Sequence, residues 1–182
     1  MIIIIGCAGA GKSTIEKELE KRGYKKITSY TSRPIRENEY NHVDYHFLKE
    51  DEFKEKLELE SFVEHTKYNG WFYGIAKEDC CTDGLVVVEP YGFRQLKSKK
   101  ELNIFSIFID VPERVRLKRM VDRGDNIIEI FRRILSDQGV FQGIENEVNC
   151  TINNNQSIKK TMKEVLKVLK NQHKENLNEK NT

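Results

Sequence analysis

The run Ile2-Ile3-Ile4-Ile5 stops at Gly6 and gives way to Cys7-Ala8-Gly9-Ala10-Gly11-Lys12-Ser13. Four β-branched residues bounded by glycine read as a strand buried on both faces, the kind found inside parallel sheets. The segment Gly6 to Ser13 fits G-x-x-x-x-G-K-[ST] in full, Thr14 follows, and a helix-compatible stretch opens at Lys12. Small residues let successive backbone N–H groups turn inward around an anion, and the helix aims its positive end at the same point. Lys12 supplies a mobile cation for β and γ oxygens, and Ser13 a hydroxyl for Mg²⁺. The loop therefore predicts a nucleoside triphosphate site, read as ATP, on Gly6, Ala8, Gly9, Ala10, Gly11, Lys12, Ser13 and Thr14.

Further strands are predicted at Lys26–Tyr30, Leu85–Glu89, Asn103–Asp110 and Val148–Ile152. Between them lie helical patterns at Lys12 to near Gly23, Lys49–Leu59, Pro112–Asp122 and Ile127–Leu135, and a last helix is capped by Ser157. Strands alternating with helices predict an α/β fold, a parallel sheet covered on both faces. Ser61–Tyr68 and Trp71–Ile75 flank Asn69-Gly70, a strong hairpin signal, so a small antiparallel lobe is expected there. From Asn171 to Thr182 apolar residues nearly vanish, and a polar, fraying tail is expected.

Composition narrows the partners. With 31 Lys+Arg against 29 Asp+Glu, the net charge of +2 is too balanced for a general binder of nucleic acid or membrane surface. No apolar run approaches a signal segment or a membrane span, so a soluble, cytoplasmic protein is expected. Cys7, Cys80, Cys81 and Cys150 have no disulfide or zinc spacing. Oligomeric state is not legible, which leaves a homo-oligomer open.

The acceptor of the phosphate is a separate question. Ser29-Tyr30-Thr31-Ser32-Arg33-Pro34-Ile35-Arg36 is followed by Tyr45, and later by Glu64 and Tyr73. Two arginines three apart with a nearby phenol suit a second phosphate, because guanidinium forks bind its oxygens in pairs. Taken by itself, a solvated basic loop is the better explanation of the arginines, by about two to one, and an exposed strand position that of Glu64.

Taken together, Ser29–Arg36, Asp44-Tyr45, Phe62-Val63-Glu64, Gly70–Gly74 and Arg119–Gly124 resemble the guanylate kinase family of P-loop nucleoside monophosphate kinases. The resemblance runs from Ile2 to about Asn153. It implies ATP-dependent, Mg²⁺-assisted phosphorylation of GMP and dGMP in purine nucleotide metabolism. It also implies a domain over 1–170, with its core at 1–30 and 80–170, a nucleotide-binding lobe at about 31–79, a helical lid at about 119–135, and the tail at 171–182. The family's pattern puts the acceptor phosphate on Arg33, Arg36, Tyr45 and Tyr73, the base on Ser29 and Glu64, and a further acceptor contact on Glu89. It puts the transferring phosphates on Lys12, Arg119, Arg123 and Arg133, with Arg132 the alternative to Arg133. Arg114, Arg116 and Lys118 are left on a charged outer helix face. The chemistry of the base agrees, since guanine offers N1–H and N2–H₂ side by side to a carboxylate, whereas adenine would meet it lone pair to lone pair.

Three positions depart from the family. Val87 and Glu89 stand where an Asp pair is usual, Cys7-Ala8 replaces Pro-Ser in the loop, and Ile75 stands where a hydroxyl residue follows Tyr-Gly. The lost hydroxyl predicts weaker base discrimination, about 10²–10³ rather than about 10⁴. Two other functions stay open: a different small-acceptor kinase (another nucleoside monophosphate or a ribose bisphosphate), and a non-catalytic binding module. Glu64 with Ser29 speaks against the first, and the intact loop and lid arginines against the second.

Overall fold

The computed structural model describes residues 1–37 and 39–179. Among the described residues nine strands run β1 (Ile2–Ile5), β2 (Lys25–Lys26), β3 (Tyr30–Thr31), β4 (His46–Phe47), β5 (Phe62–Tyr68), β6 (Trp71–Ala76), β7 (Gly84–Val87), β8 (Phe105–Asp110) and β9 (Cys150–Asn153). The helices are α1 (Lys12–Glu20), α2 (Glu50–Glu58), α3 (Pro90–Lys97), α4 (Glu113–Asp122), α5 (Ile127–Asp137) and α6 (Ile158–Glu179). A parallel sheet of order β2-β7-β1-β8-β9 forms the core, and a second sheet of order β4-β3-β6-β5 forms the lobe.

Because β1 is central, both of its faces are covered, which is why its residues are all apolar. Ile3 and Ile5 pack with Phe93, Leu96, Phe108 and Phe141, while Ile4 packs with Ile15, Leu19, Ile107 and Val165. Each fully buried isoleucine contributes about 1.5–3 kcal/mol by leaving water. That anchoring fixes the point where the glycine loop leaves the sheet.

Several expectations shift. The single strand expected over Lys26–Tyr30 is two: β2 joins the core sheet, β3 the lobe, and the chain changes sheets between them. The strand expected to reach Glu89 ends at Val87, and α3 follows at once. No helix is expected over 90–97, yet proline at the first position is compatible with a helix start, and Phe93 and Leu96 bury the helix on the core. The tail expected to fray from Asn171 continues α6 to Glu179, and 180–182 lie outside the described residues.

Candidate active site

The loop after β1 and the lobe face one another across a cavity of about 400 Å³. Lys12, Ser13, Ser29, Arg33, Arg36, Tyr45, Glu64, Tyr73, Glu89, Arg119, Arg123 and Arg133 all line it, as do Ala8, Gly9, Ala10, Gly11 and Thr14. Gly6 lies beneath, where a Cβ would come within 2.9 Å of the Ile109 carbonyl. Residues separated by more than a hundred positions thus share one space.

On the donor side, Lys12 Nζ bends back onto the Gly6 carbonyl and lies 3.3 Å from the Cys7 carbonyl. Arg119 donates to the Asn154 carbonyl at 2.6 Å and to the Ala10 carbonyl at 3.4 Å, holding α4 against the loop. Asp125 receives Arg123 at 2.7 Å and Arg133 at 2.8 Å, so one carboxylate fixes two lid guanidiniums. Arg133 Nε is buried with no partner. The neighbouring Arg132 turns elsewhere: it stacks on Trp71 at 4.2 Å and donates to the Asn69 carbonyl at 2.8 Å. The choice between the two arginines falls on Arg133 for the cavity, and Arg132 ties the lid helix to the hairpin.

On the acceptor side, Arg33 is 3% exposed, sits over the Tyr45 and Phe47 rings, and pairs with Glu39 through two contacts of 2.9 and 3.0 Å. Partial burial, then Arg33 and Arg133, lower the Arg36 guanidinium to about 10, although its side chain remains 43% exposed. Burial raises the phenols of Tyr45 and Tyr73, which keeps both as O–H donors.

Glu64 is buried without a cation beside it among the described residues. It is 3% exposed, Oε2 has no partner, and a Cβ on Gly92 would lie 2.5 Å from that oxygen. A larger residue at that point of α3 would push the carboxylate out of its observed place. Burial raises its pKa to about 8, opposed by the Ile75 backbone N–H and assisted by Glu89. Glu89 has an unpartnered oxygen too, and burial raises it to about 7 against the pull of Lys12.

Sequence reasoning missed Thr66, Tyr68 and Asp137, which also line the cavity. The first two had a signal: alternation along β5 puts Glu64, Thr66 and Tyr68 on one face. Asp137 had none, since its place depends on how α5 docks. Arg116, expected on an outer face, is buried and paired with Asp137 at 3.1 Å. Ile75, expected to leave the cavity short of a hydroxyl, is fully buried and packs with the core instead.

Among the described residues no three His, Cys, Asp or Glu side chains are grouped as a metal cage. A lone hydroxyl beside a phosphate loop suits Mg²⁺ carried in by a nucleotide, because that ion keeps water and phosphate ligands.

Comparison with known proteins is consistent across sequence and structure. The family model for guanylate kinase matches residues 1–172. A guanylate kinase of Prochlorococcus marinus subsp. pastoris is 32% identical over 180 residues, covering 93% of this chain and 96% of its own length. One of Campylobacter jejuni is 33% identical over 146 residues, covering 74% of this chain and 71% of its own. The crystal structure of guanylate kinase from Anaplasma phagocytophilum superposes with a TM-score of 0.73 at 18% identity, covering 94% of this chain and 85% of that one. A gluconokinase from Sinorhizobium meliloti shares the fold with a TM-score of 0.57 at 18% identity, covering 100% of this chain and 97% of its own.

Proposed function

The chain belongs to the guanylate kinase family and phosphorylates GMP, and from that premise we propose how its residues carry the reaction. The donor is ATP, held by the backbone of Gly9 to Thr14, with Lys12 on its β and γ oxygens. GMP or dGMP lies across the cavity, its phosphate on Arg33, Arg36, Tyr45 and Tyr73. Its guanine lies against Glu64 and Ser29, and Glu89 takes a sugar or water contact. The observation that carries this reading is the buried carboxylate of Glu64, one oxygen of which has no partner, in the wall of the cavity that the phosphate loop also lines. A carboxylate so placed wants two adjacent N–H donors, and guanine supplies them.

Phosphoryl transfer needs alignment, charge neutralisation and exclusion of water more than covalent help. Arg119, Arg123 and Arg133 supply positive charge from the lid at 119–135, and the lobe at 31–79 brings the acceptor in line. Arg33 exchanges its carboxylate partner Glu39 for phosphate when GMP enters. Mg²⁺ fits the Ser13 hydroxyl, with Glu89 near enough to the loop to order its water shell, and when bound it would neutralise charge on the transferring group. We place the reaction in the cytoplasm. The described residues include no helix long and apolar enough to cross a membrane.

The test is kcat/KM for GMP, dGMP, AMP, UMP and CMP with Mg²⁺-ATP. GMP and dGMP are both expected as substrates, at least about 10³-fold above AMP. A preference for AMP or a pyrimidine nucleotide would overturn the assignment of Glu64.

A further inference from the structure

Asp137 closes α5 with a side chain that is 5% exposed, and each of its oxygens is used. Oδ2 accepts the Ala8 N–H at 2.8 Å and Arg116 Nη1 at 3.1 Å, and Oδ1 accepts the Tyr68 hydroxyl. Arg116 Nη1 also donates to the Ala8 carbonyl at 3.1 Å, so both polar groups of Ala8 are held by this ion pair. The backbone packs as closely as the side chains do, since a Cβ on Gly9 would meet the Arg116 carbonyl at 2.9 Å. The phosphate loop is therefore clamped at Ala8-Gly9 between α4 and α5. The Ala8 N–H is committed to a carboxylate rather than to a ligand.

Tyr68 gives the clamp a second meaning. It ends β5 at the tip of the acceptor hairpin, and it meets Asp137 because the hairpin lies against the lid helix, where Arg132 also bridges to Trp71 and Asn69. A hairpin that swings away withdraws the phenol, and Asp137 then loses one of three donors. Burial, then Glu89 and Asp137, raise the Tyr68 phenol, so it stays protonated and remains a donor at any working pH.

We propose that Asp137 is a positioning residue, coupled to Arg116 and Tyr68, that transmits closure of the acceptor lobe to the donor phosphate loop. GMP binding seats the hairpin and Tyr68 completes the carboxylate's set of donors. The clamp then holds Ala8-Gly9, and with them the N–H groups that follow, in the phosphate-binding shape. Arg133 rides on the same helix one turn earlier and is set by the same event. The inference rests on the reading of the cavity as a two-nucleotide site.

The test compares binding of the non-hydrolysable ATP analogue AMPPNP, with Mg²⁺, to the full chain with and without saturating GMP, by calorimetry. In the wild type GMP should tighten AMPPNP about tenfold, a coupling of ordinary size. Tyr68→Phe keeps the ring and removes only the hydroxyl. It should leave AMPPNP affinity without GMP within about twofold, and reduce the effect of GMP to within about twofold of none. Asp137→Asn should lose the coupling too, and should it fail to fold, Tyr68→Phe still decides the matter. A purely structural role would lower the melting temperature and leave the ratio of the two affinities alone. Wild-type coupling retained in Tyr68→Phe, or no coupling in the wild type, would overturn the inference while leaving the acceptor site standing. A wild type that binds AMPPNP and not GMP would overturn both readings together.

Discussion

The two halves of the cavity are built in different ways. The donor half is one continuous loop carried on β1, whose flanking strands β7 and β8 and fully buried isoleucines leave it little freedom. On the proposed reading phosphate is bound there mostly by backbone, so Cys7-Ala8 can replace the family's Pro-Ser without consequence for the N–H groups further along. The acceptor half draws Ser29, Arg33, Arg36, Tyr45, Glu64 and Tyr73 from loops and from the lobe strands, two of which are only two residues long. The groups proposed to bind there are side chains, each with its own neighbours: Glu39 beside Arg33, Gly92 beside Glu64, Tyr45 against Tyr73. A site made of backbone fails all at once or not at all. A site made of side chains fails piece by piece, and substitutions can measure the pieces.

The sharpest way to break that contrast lies on the donor side. Lys12 is the one side chain of the loop asked to follow the transferring charge, so Lys12→Ala should lower kcat by about 10³-fold or more. Among the described residues its partners are the Gly6 and Cys7 carbonyls, so the melting temperature should barely move. Near-normal turnover in a folded Lys12→Ala protein would remove the donor assignment. On the acceptor side the loss should be smaller and confined to one substrate. Arg36→Met removes one guanidinium of a crowded set, which should raise the KM for GMP by about 10- to 100-fold and leave the KM for ATP unchanged. A loss of ATP affinity with GMP affinity intact would show the two halves to be assigned the wrong way round.

The same contrast explains what could be read from the chain. The donor loop is legible because its geometry is contiguous: strand, small residues, Lys-Ser and helix follow one another, and nothing distant needs to be known. The parallel core follows from the spacing of apolar runs in the same way. The acceptor residues are legible as a set only through the family resemblance, because Arg33 alone is better explained by a solvated loop. What escaped was placed by packing. The helix α3 hides behind Pro90 and Gly92, yet it carries the gap that accommodates Glu64, and Gln95 on it donates to the His65 carbonyl at 2.6 Å. Arg116 and Asp137 lie 21 positions apart and look like surface charges until two helices bring them together.

Acidity offers a finer probe of the acceptor half. Burial holds Glu64 at about 8 from an ordinary 4.5, so near pH 7 most of the free protein carries it protonated. A protonated carboxyl sets an O–H against guanine's N–H donors, so binding selects the charged form and releases a proton. GMP should accordingly bind about five- to tenfold tighter at pH 8.5 than at pH 7, and Glu64→Gln should flatten that slope. For stability the sign runs the other way. Between about 4.5 and about 8 the folded state keeps a proton that the unfolded chain has released, so the free protein loses stability as pH rises through that window. Calorimetry of GMP binding in two buffers of different ionisation enthalpy checks the proton release directly. Equal apparent enthalpies at pH 7 would mean that Glu64 is already ionised in the free site.

The smallest expected effect falls where the two halves meet. Ile75 lies on the lobe strand β6, directly opposite Glu64 in the β5–β6 register, yet its side chain belongs to the core cluster with Val88 and Phe93. It serves Glu64 through its backbone N–H, which favours the charged carboxylate whatever the side chain is. Thr66, a hydroxyl residue on the cavity face of β5 two residues from Glu64, lines the same space. Ile75→Thr should therefore cost about 1–3 kcal/mol of stability, from lost apolar volume and a buried hydroxyl. It should change the ratio of kcat/KM for GMP over AMP by less than about threefold, far below the roughly 10⁴-fold that direct hydrogen-bond readout can supply. A tenfold or greater gain in that ratio would show that the side chain at this position reads the base after all. The boundary between a backbone-built core and a side-chain-built pocket would then lie one strand further in than the packing of Ile75 places it.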